Sequence, residues 1–126
     1  MPRSVIDEDH IHPAIREMVA RHHGDVVAEV KTAVGRHDVV VVGMAQNPHV
    51  RRARKALRNA HVRCKYVEYG SYFGGWRHRT ALKMWSGWPT FPMVLVKGVL
   101  IGGADQLVRL IANGELQQML EAQRKL

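Results

Sequence analysis

The apolar residues of this chain fall into short periodic runs separated by glycine and proline. After Pro13, Ile15, Met18 and Val19 recur at helical spacing, and Gly24 closes that pattern. A second helix is predicted over 25–34, with Val26, Val27, Val30 and Val34 on one face and Gly35 as its stop. Val39, Val40, Val41 and Val42 follow, four β-branched residues in succession, the mark of a strand buried on both faces. The period changes again at Gln46-Asn47-Pro48. Asparagine is a favoured N-cap and proline a favoured first helical residue, so a helix begins here. Val50, Ala53, Leu57 and Ala60 form its inward stripe, and Arg51, Arg54, Lys55 and Arg58 lie elsewhere around it.

Residues 63–69 alternate around Cys64, Tyr66 and Glu68 and read as a second strand. The glycine-rich stretch 70–75 leads into a helix over 76–86. Two apolar runs, Met93 to Val96 and Val99 to Ile101, flank Lys97-Gly98 and suggest a hairpin with a two-residue turn. Gly102-Gly103 precede a helix with Leu107, Val108, Leu110 and Ile111 inside, ending near Asn113-Gly114, and residues 115–124 supply a last helical stretch. This order puts a parallel, right-handed crossover before an antiparallel hairpin. The expected class is α/β, a mixed four-stranded sheet flanked by helices. Residues 1–24 form an N-terminal extension with a loose start and a short helix, and residues 25–126 form the domain.

Composition narrows the setting. At 126 residues the chain has room for one domain with a real core. No apolar run approaches the ~20 residues of a membrane helix. The opening residues lack the apolar stretch of a signal peptide. The single cysteine, Cys64, forbids an internal disulfide. These features suit the cytoplasm. The net charge of +8 favours anionic partners, while the lack of a recognisable motif argues against sequence-directed nucleic-acid binding.

Three local motifs lie in register with this element order. The first is the strand-to-helix turn Asn47-Pro48-His49-Val50, the second Trp88-Pro89-Thr90-Phe91-Pro92, and the third Gly102-Gly103-Ala104-Asp105. Together, and with the ending Gly114-Glu115-Leu116, they resemble the glutaredoxins over roughly residues 25–120, monothiol members above all. The resemblance implies a thioredoxin fold with a cis-proline before the third strand. It also implies a site for glutathione. The turn at Asn47 occupies the place of the family's Cys-Pro-x-Cys, Val50 takes the second cysteine position, and Met44 replaces the lysine that usually precedes the site. The loop from Gly43 to Asn47 is shorter than in the monothiol class.

Glutaredoxin chemistry rests on a thiolate stabilised at a helix N-terminus, and the amide of Asn47 cannot form a mixed disulfide or a thiolate–iron bond. The resemblance therefore implies no catalytic cysteine, no required cofactor, and a turn unsuited to an iron–sulfur cluster. Glutathione, by the same resemblance, would lie against Thr90, Phe91 and Pro92, with its γ-glutamyl carboxylate at Gly103, Ala104 and Asp105. Arg79 would hold the glycyl carboxylate, assisted by Lys83. The expected function is a non-redox module that binds glutathione or a glutathionylated or acidic partner. Two alternatives are a residual oxidoreductase in which bound glutathione supplies the thiol, and a basic adaptor for nucleic acid or acidic proteins. His10, His12, His22 and His23 read as surface histidines, not metal ligands, and Cys64 as a small sheet or core residue. Trp76, Trp85 and Trp88 are expected as core and groove walls.

Overall fold

The computed structural model describes residues 3–21, 24–71 and 73–122. Four strands, β1 (Val39–Gly43), β2 (Lys65–Glu68), β3 (Met93–Val96) and β4 (Val99–Gly102), form one sheet in the order β2-β1-β3-β4. β1 runs parallel to β2 and antiparallel to β3, and β3 runs antiparallel to β4. The helices are α1 (Pro13–Arg21), α2 (Gly24–Arg36), α3 (Pro48–Asn59), α4 (Trp76–Ser86), α5 (Ala104–Ala112) and α6 (Glu115–Glu121). The mixed sheet is the one expected.

The valine run explains the layering. Successive side chains of a strand point to opposite faces. Val40 and Val42 therefore enter one core layer with Val26 and Val30 of α2, Leu82 of α4, Phe91 and Met93. Val39 and Val41 enter the other with Ala53 and Leu57 of α3, Leu107 of α5 and Leu116 of α6. Both faces of β1 are buried, as an uninterrupted apolar strand requires. The hairpin turn places Lys97 at φ 48° and Gly98 at φ 81°, the two left-handed positions of a type I′ turn.

Four expectations need correction. Val108, expected inside α5, is 41% exposed. α2 does not stop at Gly35 but continues to Arg36. A glycine inside a helix costs only about 1 kcal/mol, and the burial of Val26 and Val30 outweighs it. β2 is shorter than 63–69, because His61 at φ 58° delays its start and Gly70 at φ 68° turns the chain away after it. Trp76 is not a core wall; it is 61% exposed at the first position of α4. α6 ends at Glu121, and residues 123 and 124 of the last predicted stretch lie outside the described residues, as do His22 and His23.

Candidate functional site

The β1–α3 turn folds as its sequence directs. Asn47 is extended (φ −95°, ψ 118°), and its Oδ1 accepts the backbone N–H groups of His49 (2.9 Å) and Val50 (3.2 Å). Pro48 follows at the position where a missing N–H costs nothing. Asn47 is itself buried, so α3 begins with its first donors already occupied by its own cap. The turn is tied to the next crossover, since Ala45 N–H donates to Gly70 O at 2.8 Å.

The Phe91–Pro92 peptide is cis, as expected from the motif. Met93, directly after it, starts β3, which places Thr90, Phe91 and Pro92 at that strand's entrance. Across from them the β4–α5 junction is a tight approach. A Cβ on Gly103 would meet Pro92 O at 3.3 Å and the Trp88 Nε1 atom at 3.5 Å. The resulting groove holds about 240 Å³ and is lined by His49, Arg52, Trp88, Thr90, Phe91, Pro92, Gly103, Ala104, Asp105 and Gln106. Gly103 N–H donates to Gln106 Oε1 at 3.0 Å, while Ala104 and Asp105 form the first turn of α5. An Arg52–Asp105 ion pair links α3 to α5 at this mouth, both side chains substantially exposed. Such an exposed pair contributes only about 0–1 kcal/mol and opens readily.

The structure therefore brings six of the sequence-predicted residues to one groove: Thr90, Phe91, Pro92, Gly103, Ala104 and Asp105. His49 from the turn joins them, while Asn47 and Val50 are buried and do not line it. Arg79 does not line the groove. Its Nη1 donates to Tyr69 O (3.2 Å) and Gly74 O (2.7 Å), holding the 70–75 loop closed. Gly70 and Gly75 are at positive φ there, and a Cβ on Gly70 would lie 2.3 Å from Gly74 O. Lys83 stands nearer the groove, with Nζ 5.7 Å from the Phe91 ring centre. Met44 is buried in the core.

Trp88 lines the groove as expected, whereas Arg52 and Gln106 were missed as site residues. Arg52 read as one more cation of α3, and only the packing of α3 on α5 gives it a groove position. Trp88 Nε1 is buried with no hydrogen-bond partner. Cys64 lies away from the groove, half-buried just before β2. Burial pushes its thiol up, and Arg54 and Arg58 only partly offset this. Among the described residues no group of three or more His, Cys, Asp or Glu side chains is placed to hold a metal ion, and no helix is long and apolar enough to cross a membrane.

The role of Arg79 gives one expected result. Arg79→Ala removes a charged donor from two carbonyls and should destabilise the protein by about 1.5–3 kcal/mol. Amide exchange should accelerate at Ser71 and Gly74, whose backbones pair across the loop. Unchanged exchange at both amides would refute the loop-holding role.

A cis-proline at the start of the third strand, opposite the first turn of the last long helix, on a β2-β1-β3-β4 sheet defines a thioredoxin-fold protein. Its structure resembles the holo form of glutaredoxin C1 from Populus tremula x tremuloides with a TM-score of 0.69 and 25% identity, over 83% of this chain and 97% of that one. A buckwheat glutaredoxin–glutathione complex shares the fold at a TM-score of 0.70 and 24% identity, over 79% and 91% of the two chains. No protein-family profile matches the sequence. A "Glutaredoxin-like protein" of Dictyostelium discoideum is 45% identical over 102 residues, 81% of this chain and 83% of that one. A probable monothiol glutaredoxin 2 of Rickettsia typhi is 48% identical over 48 residues, 38% of this chain and 43% of that protein. The chain belongs to the glutaredoxin family.

Proposed function

We propose that this protein is a non-redox glutaredoxin that binds glutathione, or a glutathionylated partner, in the cis-proline groove. The observation that carries the reading is the convergence of Thr90–Pro92 with Gly103–Asp105 in one groove that contains no thiol. Backbone groups beside the cis-proline can pair with a peptide without help from side chains. The first turn of α5 offers N–H donors to the γ-glutamyl carboxylate. Arg52 and Asp105 suit a zwitterionic γ-glutamyl end, because one can take the carboxylate and the other the ammonium once their own pair opens. Trp88 lines the groove with its buried Nε1 lacking an acceptor, which a ligand carbonyl would provide.

Asn47 occupies the place of the family's nucleophile. Its side chain takes the α3 N–H groups that would otherwise stabilise a thiolate. The same donor set does not fit the iron–sulfur cluster of the family, since neither Asn47 nor Val50 can supply a thiolate and Cys64 belongs to another element. The self-capped helix also disfavours the alternative in which bound glutathione brings the reacting thiol. With Arg79 engaged on the 70–75 loop, Lys83 is the better-placed cation for the glycyl carboxylate.

Calorimetry with reduced and oxidised glutathione tests this directly. Binding is expected at millimolar concentration or below. Gly103→Val should weaken it by about tenfold or more, because the added side chain enters the gap facing Pro92 O and Trp88 Nε1 while the backbone, at φ −108°, accepts it. Absence of binding by the wild-type protein at millimolar ligand would overturn the assignment.

A further inference from the structure

α3 carries Arg51, Arg54, Lys55 and Arg58 within about two turns, and Arg63 lines the same surface as Arg54 and Arg58. Among the described residues none of these cations has a carboxylate partner; the ion pair made from this helix belongs to Arg52. Like charges a turn apart destabilise a helix, so this row carries a cost that no ion pair among the described residues offsets. Its charge is connected to the sheet edge, because the Arg54 guanidinium lies 4.0 Å from the centre of the Tyr66 ring on β2.

β2 is an outer strand, hydrogen-bonded to β1 alone. Tyr69 N–H donates inward to Gly43 O, and by strand alternation the N–H and C=O groups of Tyr66 and Glu68 turn outward. Among the described residues these outward groups bond to nothing. An unpaired edge is a template for another extended chain. The side chains on one face of such a chain repeat about every 6.6 Å.

We propose that an extended acidic segment of a partner protein adds to β2 as a fifth strand, its alternate carboxylates meeting Arg54, Arg58 and Arg63. Charge complementarity and the free edge select this occupant. A nucleic-acid strand could use the cations but not the edge, and the aromatic ring on this face is covered by Arg54, leaving no stacking platform. Glu68 repels a carboxylate at the far end of the strand and leaves the acidic positions toward Arg63.

Fluorescence anisotropy with three labelled probes tests this, at about 50 mM salt, where screening is weak. The probes are a nonapeptide alternating Glu and Val, a peptide of the same composition with its glutamates contiguous, and a mixed-sequence single strand of about 12 nucleotides. The alternating peptide is expected to saturate below about 1 mM and to bind at least about fivefold more tightly than the contiguous one, with the oligonucleotide weakest. The double variant Arg54→Ser/Arg58→Ser should weaken the alternating peptide by about tenfold or more at unchanged far-UV circular dichroism. Amide exchange at Tyr66 and Glu68 should slow in the wild-type complex, a readout that holds even if the variant fails to fold. Equal binding of the two peptides, tighter binding of the oligonucleotide, unprotected edge amides, undiminished binding by a folded double variant, or no saturation would each overturn the proposal.

Discussion

Asn47→Cys should create a thiol that is alkylated by iodoacetamide at pH 6.5 about a hundred times faster than Cys64. The physical reason lies in the cap. Asn47 Oδ1 accepts the His49 and Val50 N–H groups, and replacing that oxygen by sulfur leaves the same donors and the positive end of α3 facing the new atom. A thiolate is stabilised there, so the introduced thiol's pKa falls. Cys64 is shifted the other way by burial, and its thiolate fraction at this pH is small. The sign of the pH dependence follows. Labelling of Cys64 should still be rising steeply at pH 9, whereas labelling of the introduced thiol should have levelled off by about pH 8. The variant should also lose about 1 kcal/mol of stability, since sulfur caps a helix less well than an amide oxygen. Equal labelling rates at the two positions would show that the α3 N-terminus is closed to thiol chemistry.

The largest effect on folding is expected at Leu82. This residue is fully buried on α4, in the layer formed by Val30, Val42, Phe91 and Met93. Leu82→Ala removes its contacts and leaves a cavity between α4 and the sheet, which should cost about 3–4 kcal/mol. Chemical denaturation should show a lower midpoint with an unchanged slope. Val108→Ala is the control: Val108 lies on α5 at 41% exposure, and its truncation should stay within about 0.5 kcal/mol of the wild type. A small loss at Leu82 would mean that this layer collapses around the missing side chain. Because Phe91 shares the layer, the same variant should also loosen the cis-proline groove, and glutathione binding followed by calorimetry would report that coupling.

The sequence by itself determined the elements. Each is encoded by local rules: four β-branched residues for β1, Asn-Pro for the start of α3, Lys-Gly for the hairpin turn, and apolar stripes for α3 and α5. It also determined the chemistry that Asn47 cannot perform, because no fold gives an amide the nucleophilicity of a thiolate. Boundaries were less legible. Gly35 reads as a stop from its neighbours alone, yet α2 runs past it because the burial of Val26 and Val30 against the sheet exceeds a glycine's local penalty.

Tertiary structure decided which of the marked residues share a site. Thr90, Phe91 and Pro92 meet Gly103, Ala104 and Asp105 because β3 and β4 form a hairpin that returns the chain past the cis-proline. Arg79 matched the family's pattern by its distance along the chain, but the turn of α4 delivers its guanidinium to the carbonyls of the 70–75 loop. Arg52 carries no distinguishing mark in the sequence, and only the packing of α3 on α5 sets it beside Asp105. Spacing along a chain specifies the face of a helix on which a residue lies. What that face meets depends on how helices pack across the sheet, and that information is spread over the whole apolar core.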